Sequence, residues 1–178
     1  VVECFPFITG LCMEFSLLDR IIEIQEGAQI QAELTLTGSE SYLQDHFPRF
    51  PVMPGVLMLQ SMLQASIWLV RKSENFSHSV VHLKQARNVK YADFMAPGQK
   101  LTVMAEIIKE DEQTTTLKTK GELDGKNAVS ARLTLERFNL ADRFPQHGES
   151  DAIVRRRARE QFESLLDSTP PPPVNLAE

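Results

Sequence analysis

The chain has 178 residues and a mass of 20.1 kDa, and 42% of its residues are hydrophobic, which suits one packed domain with or without an appendage. A formal charge of -5 and a pI near 5.5 argue against a general nucleic-acid binder, because neutralising phosphates takes a basic surface. Two cysteines, Cys4 and Cys12, lie outside any CxxC or Cys/His grouping, so neither a disulfide framework nor a zinc site is indicated and a reducing, cytoplasmic setting is the expectation.

The N-terminal stretch VVECFPFITGLC is apolar but carries Glu3 and no basic leader, unlike a secretory signal. DRIIEIQEG then alternates apolar and polar residues and ends at Glu26-Gly27, and IQAELTL puts Ile30, Ala32, Leu34 and Leu36 on one face. The two segments predict a β-hairpin. From Pro54 to Arg71 the pattern changes: VLMLQSMLQASIWLV is apolar almost all round, interrupted only by Gln60, Ser61, Gln64 and Ser66, as expected of a helix wrapped by protein. Val56 to Val70 spans 15 residues, short of the roughly 20 a bilayer requires, so no membrane span is expected.

Four strand-like segments follow: VVHLKQARNVKY, LTVMAEIIKE, TTLKTKGEL and AVSARLTLERF. EDEQ at Glu110 to Gln113 supplies one turn, and Asp124-Gly125 is a hairpin signal. The predicted order is two strands, one buried helix and four strands. After Asn139, ADRFPQHGE reads as a connector, and Ser150 is placed to cap a helix whose stripe is Val154, Ala158, Phe162 and Leu165. Arg155, Arg156, Arg157 and Arg159 share that helix with Glu160, Glu163 and Asp167, which favours a solvated amphipathic helix docked on the domain over an anion-binding one. TPPPP at Thr169 to Pro173 predicts a stiff, extended tail.

The segment HFPRFPVMPGVLMLQ, His46 to Gln60, carries the chemistry. Pro48, Pro51 and Pro54 each fix a backbone torsion, so the loop can hold an imidazole with little entropy to lose. Pro54 and Gly55 open the buried helix, whose first amides and positive dipole end face whatever lies in front of them, and a glycine there admits a close ligand approach. A histidine before a proline turn, or Pro-Gly at a helix start, is commonly structural when it occurs alone. Together they equip a site to remove a proton beside a thioester carbonyl.

HFPxxPxMPGVLxL followed by MxQA, from His46 to Ala65, resembles the β-hydroxyacyl-acyl-carrier-protein dehydratases of fatty-acid synthesis. LLDRIIEIQEG at Leu17 to Gly27 and NVKYADFMAPGQKL extend the likeness, which covers roughly Phe15 to Arg137. The resemblance implies an α+β hotdog fold, an antiparallel sheet wrapped around one long helix, working as a homodimer or as a higher assembly of dimers. The expected division is a hotdog domain over residues 1–139 and, outside the likeness, a connector and helix over 140–168 and a mobile Pro-rich tail over 169–178.

The substrate implied is an acyl thioester on acyl carrier protein or coenzyme A, with no cofactor and no metal. His46 corresponds to the base and the Gly55 amide to the donor that binds the thioester oxygen, flanked by Pro54 and Val56. The catalytic-acid position, supplied across the dimer in that family, is Gln60. A side-chain amide donates a hydrogen bond but releases no proton at neutral pH, so reduced dehydration is expected. Asp45 replaces a usual glycine, Ala92 and Asp93 replace usual basic residues, and Gln99 replaces a usual Asp. Glu40, Asp45 and Asp93 are the other carboxylates near the loop. Two further readings stand beside dehydration: a hotdog acyl thioesterase, in which Gln60 directs water, and a non-catalytic acyl-binding or scaffold subunit.

Overall fold

The computed structural model describes residues 16–168; Cys4, Cys12, the apolar N-terminal stretch and the Pro-rich tail lie outside them. Strands β1 (Arg20–Gln25) and β2 (Gln29–Thr35) form the expected hairpin, helix α1 (Gly55–Ser73) follows, and β3 (Val80–Tyr91), β4 (Lys100–Glu110), β5 (Thr114–Leu123) and β6 (Lys126–Phe138) complete one antiparallel sheet. Its order is β1-β2-β4-β5-β6-β3, so β3 is an edge strand although it is third in sequence. A short helix α2 (Leu140–Arg143) and the long helix α3 (Gly148–Asp167) end the described chain.

The period-2 patterning determines which face turns inward. Ile30, Ala32, Leu34 and Leu36 are all buried, and Leu101, Val103, Leu117, Leu133 and Leu135 continue the same apolar surface across the sheet. Against it lie Met58, Met62, Ala65, Trp68 and Leu69 of α1. Burial of each such side chain stabilises the fold by about 1.5–3 kcal/mol before entropy is counted.

Turns follow the residues predicted for them. Asp124 and Gly125 both have positive φ, 49° and 76°, the geometry of a type I′ hairpin. At the EDEQ turn the Asp111 carboxylate accepts from the amides of Gln113 and Thr114 and from the Thr114 hydroxyl. Gly27, with φ 73°, turns the first hairpin, and its amide donates to Ser73 Oγ at 2.7 Å, fastening that turn to the end of α1. Among the described residues no helix is long and apolar enough to cross a membrane.

The C-terminal helix starts earlier than Ser150 was expected to place it. α3 begins at Gly148, and its anchoring acid is Asp151, one residue beyond the expected cap. The Asp151 carboxylate is buried and accepts from Ser79 Oγ, from the Leu140 amide at 2.8 Å and from the Ala141 amide at 3.0 Å. It therefore ties α3 to the start of α2 rather than capping its own helix. The stripe expected for α3 is the buried one, with Ala158, Phe162 and Leu165 in the core and Val154 half-buried. Phe162 packs on Trp68 and Phe76, at ring separations of 6.0 and 5.7 Å. Two of the arginines are spent on this docking: Arg155 donates to Asn139 Oδ1 at 3.0 Å and Arg159 to the Asn75 carbonyl at 2.8 Å.

Candidate active site

The loop from His46 to Pro54 is built by reversals of the backbone. The His46 amide donates to the Tyr42 carbonyl at 3.1 Å, closing the 3-10 turn Ser41–Leu43, and Phe47 takes a left-handed φ of 62°. Such a conformation costs a non-glycine residue of order 1–3 kcal/mol and persists only where the surroundings hold it. Here the Phe50 amide donates back to the Phe47 carbonyl at 2.8 Å. The reversal folds the His46 ring onto the strap that follows, where Nδ1 meets the Val52 carbonyl at 3.0 Å. A carbonyl only accepts, so Nδ1 carries the proton and the neutral ring keeps its lone pair on Nε2. His46 is half-buried, and its ring is tilted against that of Phe47 at 4.5 Å.

The strap then joins a second loop. The Met53 amide donates to the Met95 carbonyl at 2.8 Å, holding the residues before α1 against those after β3. Pro54 is the N-cap of α1, with φ -53°, and its carbonyl accepts from the Leu57 amide at 2.8 Å. The amides of Gly55 and Val56 precede the first helical hydrogen bonds and lie at the positive end of the helix dipole. Gly55 is required for a reason the sequence did not disclose. A Cβ placed there would sit 3.0 Å from Cε1 and 3.1 Å from Cδ1 of Tyr91, so the space over its Cα is filled by an aromatic ring of the same chain.

Val56 is 63% exposed, and Gln60, one turn further along α1, is half-buried on the same face as Leu59, Leu63 and Ile67. Leu59, Leu63 and Ile67 pack in part against the core, while Val56 is exposed. Of the two glutamines in the helix, Gln64 is structural: it is buried, and its Oε1 accepts from the Leu17 amide at 2.9 Å. A buried amide paired with a backbone donor accounts for that polar interruption; Gln60 has a different setting.

The carboxylates near the loop are occupied elsewhere or turned outward. Glu40 accepts from the amides of Thr37 and Gly38 and from the Thr37 hydroxyl. Burial pushes its carboxyl up, but those hydrogen bonds outweigh burial and hold it below the ordinary value. Asp93 accepts from the Phe94 amide at 2.8 Å within its own turn, and Asp45 is exposed. Burial, with the charge of Glu40, pushes the Tyr42 phenol up to about 12, so it is neutral wherever His46 could act as a base. Gln99 keeps a turn closed by accepting from the Ala96 amide at 2.7 Å, a role open to any side-chain carbonyl.

Comparison with known proteins adds a family to this geometry. The model of a family described as the FabA-like domain matches residues 12–132. The 3-hydroxyacyl-(acyl-carrier-protein) dehydratase FabZ of Levilactobacillus brevis is 35% identical over 117 residues, covering 66% of this chain and 79% of its own. Among solved structures, the dehydratase heterocomplex ApeI:P of Xenorhabdus doucetiae matches with a TM-score of 0.62 at 18% identity, covering 82% of this chain and 99% of that one. A hypothetical thioesterase with coenzyme A from Streptococcus pneumoniae matches with a TM-score of 0.51 at 15% identity, covering 67% and 85%. These two structures share the fold, and they bear out the hotdog architecture expected from the motif.

Proposed function

This chain belongs to the FabA-like domain family, and from that premise we propose that it is a dehydratase of 3-hydroxyacyl thioesters, carried on acyl carrier protein or on coenzyme A, in fatty-acid or related acyl metabolism. The observation that carries the reading is the bond between His46 Nδ1 and the Val52 carbonyl, which leaves Nε2 as a fixed base at the end of a rigid loop. The Gly55 amide, at the start of α1, receives the thioester oxygen as enolate charge develops.

In this reaction His46 Nε2 takes the proton from Cα, the electron pair of that bond forms the new C=C, and the C3–O bond breaks. Gln60 orients the leaving hydroxyl by donating from its amide. It has no proton to release, so the hydroxide becomes water with a proton from another acid, and the imidazolium that His46 has just become is one the chain itself supplies. Lacking a dedicated acid is worth roughly 10²–10⁴-fold in rate, so slow dehydration is the expected behaviour.

The protein works as a homodimer. Along α1 Val56 is exposed and Leu59, Leu63 and Ile67 are only partly buried, and among the described residues β3 is an edge strand of the sheet. A second copy covers both and brings the Gln60 region of one subunit towards the loop of the other. Gln60 also favours a second reading, an acyl-binding subunit without turnover. Incubation with a 3-hydroxyacyl thioester and, separately, with a saturated acyl thioester separates the possibilities. Enoyl product supports dehydration, free thiol identifies a thioesterase, and binding with neither product identifies the acyl-binding subunit.

A further inference from the structure

We infer that the Tyr91 hydroxyl is a second hydrogen-bond donor to the thioester oxygen, beside the Gly55 amide; the inference rests on the acyl-thioester reading above and adds a residue to it. The three side-chain atoms nearest the position of a Gly55 Cβ all belong to Tyr91: Cε1 at 3.0 Å, Cδ1 at 3.1 Å and Cζ at 3.5 Å. Cζ bears the hydroxyl, so the oxygen lies one bond beyond an atom 3.5 Å from the position a Gly55 Cβ would take. Tyr91 is also 50% exposed, so it is accessible to a ligand.

The placement is rigid. Tyr91 is the last residue of β3, paired with Val129 of β6, and the two residues after it are held by the Ala128 carbonyl, which accepts from the amides of Ala92 at 2.7 Å and Asp93 at 3.3 Å. The exposed large hydrophobics of the His46–Pro54 loop, the start of α1 and the segment after β3 are Phe47, Phe50, Val56, Tyr91 and Phe94. Among these exposed aromatic and aliphatic side chains, Tyr91 alone carries a hydroxyl. Ring packing alone is satisfied by phenylalanine, which separates the two roles of the residue. An enolate oxygen held by one amide and one hydroxyl is the donor pair that polarisation of a carbonyl calls for.

The test uses Tyr91→Phe in the full chain, with a saturated acyl thioester labelled with carbon-13 at the carbonyl. Infrared spectroscopy of the bound ligand reads hydrogen bonding to that oxygen directly, whether or not the protein turns over. The expected result is an unchanged melting temperature, a carbonyl band displaced towards its frequency in free solution, and a kcat for dehydration lowered by ~10- to 100-fold. A band identical to wild type overturns the inference even if kcat falls, because lost packing gives that outcome. If the wild type binds the thioester but forms no enoyl product, the dehydratase reading fails while the band still decides the role of Tyr91. If the wild type binds no acyl thioester, both are overturned.

Discussion

His46 and Gly55 illustrate how one residue can be legible in sequence while its partner is not. Three prolines announced a rigid loop around His46, and the structure supplies the missing part, a bond to the Val52 carbonyl six residues on that selects the tautomer. His46→Ala is expected to abolish dehydration with little change in melting temperature, since the ring is half-buried and supports no core packing; a rate within about tenfold of wild type assigns the base elsewhere. The sequence reading of Gly55 was close approach by a ligand; the neighbour it did not name is the Tyr91 ring. Tyr91 is 36 residues away, and only the register of β3 against β6 brings its ring to the helix start. Gly55→Ala forces that ring or the helix to shift, and its cost should fall when combined with Tyr91→Ala, a coupling measurable by a double-mutant cycle in thermal denaturation.

At the scale of elements, the apolar character of α1 and the alternation of β2 were enough to place the core, because both reflect burial, which acts locally on composition. The docking of α3 was partly readable. Its stripe named the buried residues, whereas the role of Asp151 depends on amides of α2 that no spacing rule relates to it. Burial raises the Asp151 carboxyl, but bonds from Ser79, Ala141 and Leu140 and the charge of Arg155 outweigh it and hold the pKa below the ordinary value. A depressed carboxylate contributes stability that is complete above the unfolded value, about 4, and disappears as pH falls through the folded value. Thermal stability should therefore drop below about pH 4 in the wild type. Asp151→Asn should be less stable at neutral pH and less sensitive to acid; identical acid limbs would show that Asp151 does not link docking to pH. Phe162→Ala should cost about 3–5 kcal/mol by opening the cluster with Trp68 and Phe76. Truncation before Ser150 should lower the melting temperature, while truncation after Asp167 should leave it nearly unchanged.

For the whole molecule, the proposed homodimer rests on the exposed Val56 and half-buried Leu63 and Ile67 of α1 and on β3 as an edge strand among the described residues. Val56 is exposed and Leu63 and Ile67 are only partly buried, so a second copy packed there would complete their cover. Light scattering at micromolar concentration should give the mass of a dimer. A monomer would contradict both the assembly and any site composed across it. The hotdog architecture was legible because its signature motif is contiguous, from the loop into the helix. The homodimer is an expectation of that family likeness, since an apolar helix position reads the same in sequence whether the cover is its own sheet or another subunit.

The central claim is that the site is complete except for one transferable proton, and Gln60→Glu tests it most directly. The change is nearly isosteric and sits on a half-buried helix position, so folding and assembly should survive. Enoyl formation from a 3-hydroxyacyl thioester, followed by ultraviolet absorbance, should rise by at least ~10-fold over wild type, and His46→Ala in the same background should remove the gain. A folded, dimeric Gln60→Glu protein that forms no more enoyl product than wild type would contradict the account.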